Sequence, residues 1–421
     1  MAGSVVRERH SRNPTGPADD ERRQPFRAMT ATFDHEKDAL AANDGNASIA
    51  AGTLRSETLH GDDVLAALAD AARTREGHAA THQLAPPLLA SVADATGDEI
   101  RAVAVRRGQQ IAFLWPFAIL RRGPVAMAVR AGRAVQCYDD GHVAPRHEAA
   151  SVLRMAWREI ETWRGIDALH LAHIREDSAL VDMPGVRDRL RVAGEAPYLD
   201  LSAYATVDAY HASLSRNRRR SIRRNTKRLG EHGDIAFRDL VDPDDRQAVI
   251  RQALAFKRTW LEDQHAVSAG VGSDYFEPAL LGAAASEACM DAVKVFALTV
   301  NDEAVAIEIG LVTGRAYHSH IGAFSPEWSK LGVGTLLTAE VIGWCIAKGL
   351  ASYDMLAPDT PFKRDWTDVA TPVFQATVPL TVAGHVAALA TRHGRGAAKA
   401  FHAALPPPAR SAVRALVQRL R

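Results

Sequence analysis

Hydrophobic and polar positions divide the chain into stretches of different periodicity. Residues 1 to about 55 mix Arg, Asp, Asn, Gly and Pro with neither a helical nor an alternating apolar repeat, which predicts a disordered leader. Residues 62–72 (DDVLAALADAA) read as a short amphipathic helix with Asp62 or Asp63 as its N-cap. From Glu99 the pattern alternates, so residues 100–105 and 111–120 are predicted strands around the turn Arg107-Gly108-Gln109. Pro116 inside the second of them predicts an edge or a bend. A helix over about 148–163, a strand over 168–173 and a Pro184-Gly185 turn complete a first α/β unit, residues 56–195.

A second unit, residues 196–381, begins with a long helix predicted over 207–229 that Gly230 ends. Asp242-Pro243 starts another at about 244–264, and a third fits 275–288. Three alternating runs, 294–300, 304–312 and 315–323, are joined by Asn301-Asp302-Glu303 and Thr313-Gly314, the pattern of a strand meander. Residues 332–348 read as a helix ending at Gly349, followed by strands at 352–356 and 372–380. Strands that feed a helix and return to a strand predict an α/β fold with a mixed sheet and a crossover. In the last segment, 382–421, Val413, Leu416, Val417 and Leu420 recur at helical spacing, giving a basic amphipathic tail.

Composition narrows what these units can do. At 47% hydrophobic residues the chain can bury real cores. Cys137, Cys289 and Cys345 lie far apart, which excludes a disulfide scaffold and a cysteine zinc site and fits a reducing cytoplasm. The most apolar helix-length stretch, 331–347, carries Glu340 and three glycines and is no membrane span. The formal charge of +1 hides segregation: eight of the thirteen residues from 216 to 228 are basic and none is acidic. Seven more basic residues and no acidic one follow Leu380, so the rest of the chain is net acidic. Tyr210, Leu214, Ile222 and Leu229 keep one apolar stripe on the basic helix, which therefore docks on a core. Its cationic face is either solvated or attracts an anionic partner.

Residues 325–337 (SPEWSKLGVGTLL) are the most informative segment. Gly332 and Gly334 remove side-chain bulk where a helix starts, and Lys330 adds a charge, which is the physics of a pyrophosphate cradle. The segment is neither a P-loop nor a GxGxxG fingerprint. Strand, loop, GxG-helix and strand in this order resemble motif A of the GNAT-type acyltransferases, in which the loop and helix start hold the pyrophosphate of coenzyme A. The resemblance implies Lys330, Leu331, Gly332, Val333, Gly334 and Thr335 as the acyl-CoA contacts. It departs from the family pattern Q/R-x-x-G-x-G/A at Ser329. Residues 352–366 (SYDMLAPDTPFKRDW) and 213–229 (SLSRNRRRSIRRNTKRL) resemble segments of the CelD-like, cellulose-biosynthesis branch, and 256–261 (FKRTWL) is similar to a helix of that family. The first unit, with its Tyr138-Asp139-Asp140-Gly141 turn, resembles the degenerate N-terminal half of this branch, a tandem layout shared with FemAB-type transferases. No glycine pair opens a helix there, so it is given no cofactor site.

Acyl transfer from a thioester to an amine needs a base for the amine and donors for the oxyanion. Glu308 lies inside an apolar strand, where an ionisable group is either used or turned to solvent. His318 and His320, two apart, are expected on one face of the next strand; no third ligand accompanies them, so no metal is assigned and His320 stands as a pocket residue. The resemblance adds Asp354 and Lys363 to Glu308 and His320 as catalytic candidates, with Lys363 positioning an anionic or carbonyl group. Arg216, Arg219, Arg223, Trp260 and Trp366 are the candidate substrate or anion contacts. No GxSxG elbow supports a serine nucleophile.

These readings predict two tandem GNAT-like domains, each a mixed, mostly antiparallel sheet flanked by helices. The function they imply is N-acyl transfer from acetyl-CoA or another acyl-CoA to an amine, on a small molecule or on a sugar or cell-envelope precursor. Two alternatives stay open. One is a FemAB-like transferase that uses aminoacyl-tRNA. The other is a non-catalytic accessory protein of polysaccharide synthesis that binds an anionic membrane or a synthase. The expected location is the cytoplasm, with the basic tail able to meet the inner face of the membrane.

Overall fold

The computed structural model describes residues 53–73, 82, 84–143 and 149–389. The leader and most of the basic tail lie outside the described residues. Thirteen strands occur among the described residues: β1 Leu54–His60, β2 Glu99–Arg107, β3 Gln110–Arg122, β4 Val125–Arg130, β5 His142–Val143, β6 Ala168–Arg175, β7 Arg191–Asp200, β8 Ile235–Asp239, β9 Val293–Val300, β10 Glu303–Thr313, β11 Ala316–Phe324, β12 Ser352–Asp354 and β13 Ala370–Pro379. The α-helices are α1 Asp62–Arg73, α2 Pro86–Thr96, α3 Ala149–Glu161, α4 Val207–Ser213, α5 Arg216–Gly230, α6 Pro243–Asp263, α7 Phe276–Ala285, α8 Val333–Ala347 and the single turn α9 Pro361–Arg364.

The strands join one sheet in the order β1-β2-β3-β4-β6-β13-β7-β12-β11-β10-β9-β8, with β5 beside β3. Each half repeats one plan. Antiparallel strands lead to β4 or β11, a helix crosses over, and the chain returns as β6 or β12 in parallel. Both parallel ladders are short, Met127 to Val129 against Ala168 to His170 and Ala316 to His318 against Ser352 to Asp354. The halves then exchange strands: β13, from the end of the chain, pairs with β6, while β7 pairs with β12. The fold is thus two tandem α/β halves of one plan sharing a mixed, mostly antiparallel sheet.

Cores lie on both faces of this sheet. One apolar cluster joins α1 and α2 to α6, α7 and the β10 and β11 residues Ile307, Ile309 and Ile321, and so runs across both halves. The approach is close: Ser91 Oγ donates to Ala279 O at 2.9 Å, and a Cβ at Gly282 would meet Ser91 Oγ at 2.6 Å. A second cluster packs α3 on the first half, and a third packs α5 and α8 against Tyr317, Tyr353 and Ala306.

The structure changes three expectations. The helix predicted over 207–229 is broken into α4 and α5, because Ser215 leaves the helical conformation and its side chain caps Arg218 N at 3.2 Å. Pro116 sits in an interior strand, not at an edge. On the side of β3 away from β2 the ladder is interrupted at this point, since β5 pairs with Phe113 and Leu114 and β4 begins at Phe117. Finally, β1, α2, β4, β7 and β8 form where the periodicity predicts no element. By contrast, α6 starts as expected, with the Asp242 side chain accepting from the N–H groups of Asp244 and Asp245.

Candidate active site

The β11–β12 ladder ends at the pair His318 and Asp354, and the two strands then part. A cavity of about 670 Å³ opens in the gap. Its walls are Glu308, Ser319, His320 and Phe324 from β10 and β11, Gly334, Leu337 and Thr338 at the start of α8, Phe256, Lys257 and Trp260 on α6, and the segment from Met355 to Lys363.

Glu308 is only 3% exposed, so it does not face solvent. Alternation along β10 turns it from Ile307 and Ile309 towards the side of α8. Tyr353 and Tyr317 donate their hydroxyls to its Oε1, at 2.8 and 3.0 Å. Burial pushes its pKa up to about 7, against the lowering effect of the hydroxyls of Tyr353, Ser319 and Tyr317. Gly310 makes this arrangement feasible: a Cβ there would lie 2.0 Å from the Tyr317 ring, which stacks on Tyr353 at 5.3 Å.

His318 and His320 do not share a face. The ladder with β10 shifts so that Ile309 opposes Ile321 and Gly310 opposes Ser319, leaving His320 as the extra residue of a bulge. Ser319 and His320 both reach the cavity. His318 instead enters the interior, where its Nε2 is 2.8 Å from Thr313 Oγ1 and 3.5 Å from His82 Nδ1. Burial, with the charges of His318 and Arg130, lowers the pKa of His320 to about 4, so its imidazole is neutral at pH 7. Its Nδ1 lies 3.8 Å from Cys137 Sγ.

Asp354 is 1% exposed and is not among the cavity walls. Its carboxylate accepts from Arg175 Nη1 at 2.5 Å, from Tyr138 Oη at 2.9 and 3.0 Å, and from Leu356 N at 2.7 Å. Burial alone would raise its pKa, but His318, Arg175 and His82 outweigh that and hold it at about 2. It therefore ties β12 to β6 and fixes the first turn of the 355–363 wall. Lys363 closes that wall, donating to Leu356 O at 2.6 Å and Pro358 O at 2.9 Å, and burial lowers its pKa to about 8.

The start of α8 forms the other end. Gly332 is its N-cap at φ 66°, with no side-chain cap, so the first N–H groups point outward without a side-chain acceptor. A Cβ at Gly332 would meet Asn225 Nδ2 of α5 at 2.3 Å, and one at Gly334 would touch Phe324 at 3.4 Å. Val333 is buried, Leu331 and Thr335 are half-buried, and Lys330 is exposed. The Ser329 hydroxyl is turned onto Pro326 O at 2.7 Å. On α5, Arg216 and Arg223 are exposed, whereas Arg219 donates to Ala212 O and Leu214 O at 2.5 and 2.8 Å across the α4–α5 break. Trp366 lies buried under the Arg218 guanidinium, 4.6 Å from its ring centroid, while Trp260 is 40% exposed at the cavity.

Sequence reasoning singled out neither Tyr317 and Tyr353 as partners of Glu308 nor Lys257 as a cavity residue. The meander register, which sets Tyr317 beside Gly310 and near Glu308, holds the signal for the first. Nothing local signals that Arg175, 179 residues away, meets Asp354.

Residues 216–364 match the family model for an acetyltransferase (GNAT) domain. No curated protein matches the chain in sequence. Among solved structures, FemX is similar at 12% identity over 76% of this chain and 96% of its own, with a TM-score of 0.53. A tandem GNAT protein from the clavulanic acid biosynthesis pathway is similar at 12% identity over 78% and 99%, with a TM-score of 0.44. The matched segment, about a third of the chain, holds the β11–α8–β12 crossover and the cavity walls, so the likeness to an acetyltransferase (GNAT) domain falls on the part of the chain that forms the site.

Proposed function

We propose that this protein is an N-acyltransferase that moves an acyl group from acyl-CoA to an amine, with Glu308 as general base. One observation carries the reading: a buried carboxyl whose pKa lies near neutrality shares a cavity with an uncapped glycine-lined helix start. Beyond His318 the β11 edge has lost its β12 partner, which leaves backbone groups for the pantetheine arm. The start of α8, with Lys330 beside it, suits the pyrophosphate. Glu308 takes the proton of the amine, directly or through one water, as the nitrogen attacks the thioester carbonyl. Collapse of the tetrahedral intermediate breaks the C–S bond and releases coenzyme A as its thiolate, which takes up a proton. His320, Asp354 and Lys363 act around this centre: His320 as a neutral wall, Asp354 by holding Leu356, and Lys363 by presenting an ammonium to the cavity. The CelD-like segments support an acceptor on a sugar or envelope precursor, and acetyl is the donor group we favour.

Calorimetric titration with acetyl-CoA tests the reading. Binding to the wild type, its loss in Gly334→Trp, and a 10²- to 10⁴-fold lower turnover in Glu308→Gln are expected. No binding of acetyl-CoA by the wild type overturns it.

A second reading, transfer from aminoacyl-tRNA, is favoured by the cationic face of α5, whose Asn225 adjoins Gly332. RNase-sensitive transfer supports it; turnover with purified acetyl-CoA alone excludes it. Membrane attachment through the tail is tested by liposome co-sedimentation of the full chain and of a form ending at Leu380. Among the described residues no helix is long and apolar enough to cross a membrane.

A further inference from the structure

Two lysines face the cavity from different elements, Lys257 on α6 and Lys363 on α9, and both hydrogen-bond to backbone carbonyls. Lys257 Nζ is 3.3 Å from Gly322 O and 4.4 Å from the centroid of the Trp260 ring. Among the described residues neither lysine forms an ion pair. The neighbouring carboxyls are engaged elsewhere. Asp354 is bound by Arg175 at 2.5 Å, Asp359 by Arg364 at 2.8 Å, and Glu308 is held towards its neutral form by burial. Burial lowers the pKa of both lysines, and for Lys363 the charge of Lys257 adds to that effect. Both ammonium groups thus stand in the same half-buried space, and the charge of Lys257 reaches Lys363. Carbonyl dipoles compensate two such charges only in part, and an entering anion would complete them.

The side of the sheet decides which substrate brings that anion. The phosphates of the donor belong at the start of α8, which packs with Tyr317 and Tyr353 on one face. Lys257 comes from α6, which packs with Ile307, Ile309 and Ile321 on the other. We infer that Lys257 and Lys363 form a receptor for an anionic group, a carboxylate or a phosphate, carried by the acceptor amine. The acceptor is then an amine that bears an acid: an amino acid, or an amino sugar carrying phosphate or carboxylate. The inference rests on the acyl-transfer reading for the word acceptor, but the receptor itself can be tested apart from it.

The test labels the lysines of the full chain with a succinimidyl ester and follows each by peptide mass spectrometry. Inorganic phosphate and acetate, each at 10 mM, are compared with chloride at equal ionic strength. At least threefold slower labelling of Lys257 and Lys363, with the exposed Lys348 unchanged, is the expected result. The more protective anion identifies the group. Lys363→Gln should remove the protection at Lys257. Equal rates in all three salts overturn the receptor. Acetyl-CoA titration of the Lys257→Gln/Lys363→Gln protein, with its melting temperature as a check on folding, separates the two claims. Unchanged acetyl-CoA affinity is expected, and a tenfold or greater loss in a folded protein assigns the lysines to the donor and overturns the acceptor assignment. A wild type that shows protection yet binds no acetyl-CoA overturns the acyl-CoA reading and leaves the receptor standing.

Discussion

Glu308 is deeply buried, yet the general-base role proposed for it needs ionisation. Its pKa is raised from the ordinary 4.5 to about 7, so folding favours the protonated form. The stability it contributes is complete below about pH 4.5, falls as pH rises towards 7, and is constant above that. At about 1.4 kcal/mol per unit, ionising it above pH 7 costs roughly 3 kcal/mol. Glu308→Gln keeps an oxygen for the Tyr317 and Tyr353 hydroxyls and removes the charge. It should therefore be more stable than the wild type at pH 8, by up to that amount, and equal to it at pH 4.5. Activity should move the opposite way. Wild-type turnover should rise with pH to a plateau above 7, and the variant should stay low and flat. Denaturant melts and rate profiles from pH 5 to 9 check both. A stability difference between variant and wild type that is no larger at pH 8 than at pH 4.5 would show that the carboxyl is not buried as described.

At the scale of the element, the break between α4 and α5 shows how one residue redirects a helix. The stripe Tyr210, Leu214, Ile222 and Leu229 satisfies one continuous helix on paper, yet Ser215 interrupts it. The break sets Asn225 against Gly332, beside the start of α8. Ser215→Ala removes the bond to Arg218 N and should cost about 1 kcal/mol, with a weaker acetyl-CoA affinity if α5 fixes the cradle. Thermal melts and titration measure the two effects, and a loss of affinity without a loss of stability would place Ser215 in the site itself. The same element shows where periodicity falls short. Local signals, such as the meander, the Asp242 cap and the glycine pair opening α8, are legible because each depends on neighbours in sequence. The helix α2 was missed although Pro86 stands at its start and left-handed Gly97 at its end, because its apolar face is too even to stand out by periodicity. The faces of His318 and His320 were not legible, because a bulge depends on the partner strand.

Over the whole molecule, what the sequence hides is the exchange of β7 and β13. No periodicity says that β13 pairs with β6, in a register that sets Val373 opposite Arg175, 198 positions earlier; only the three-dimensional sheet order does so. The consequence is cooperative. The cluster around α2 and α7 runs through both halves, and Arg175 of β6 holds Asp354 of β12 in a buried ion pair. Asp354, with its pKa lowered to about 2, contributes stability that is present above about pH 3.8 and is lost as pH falls through 2. Arg175→Met leaves that carboxylate buried without its cation and should cost about 3–5 kcal/mol at pH 7. Because the halves share strands and core, the loss should lower one unfolding transition of the whole described fold rather than split it. Calorimetry at pH 7 distinguishes the outcomes. A single peak shifted to lower temperature is expected, and two peaks of which only one moves would mean that the halves unfold independently.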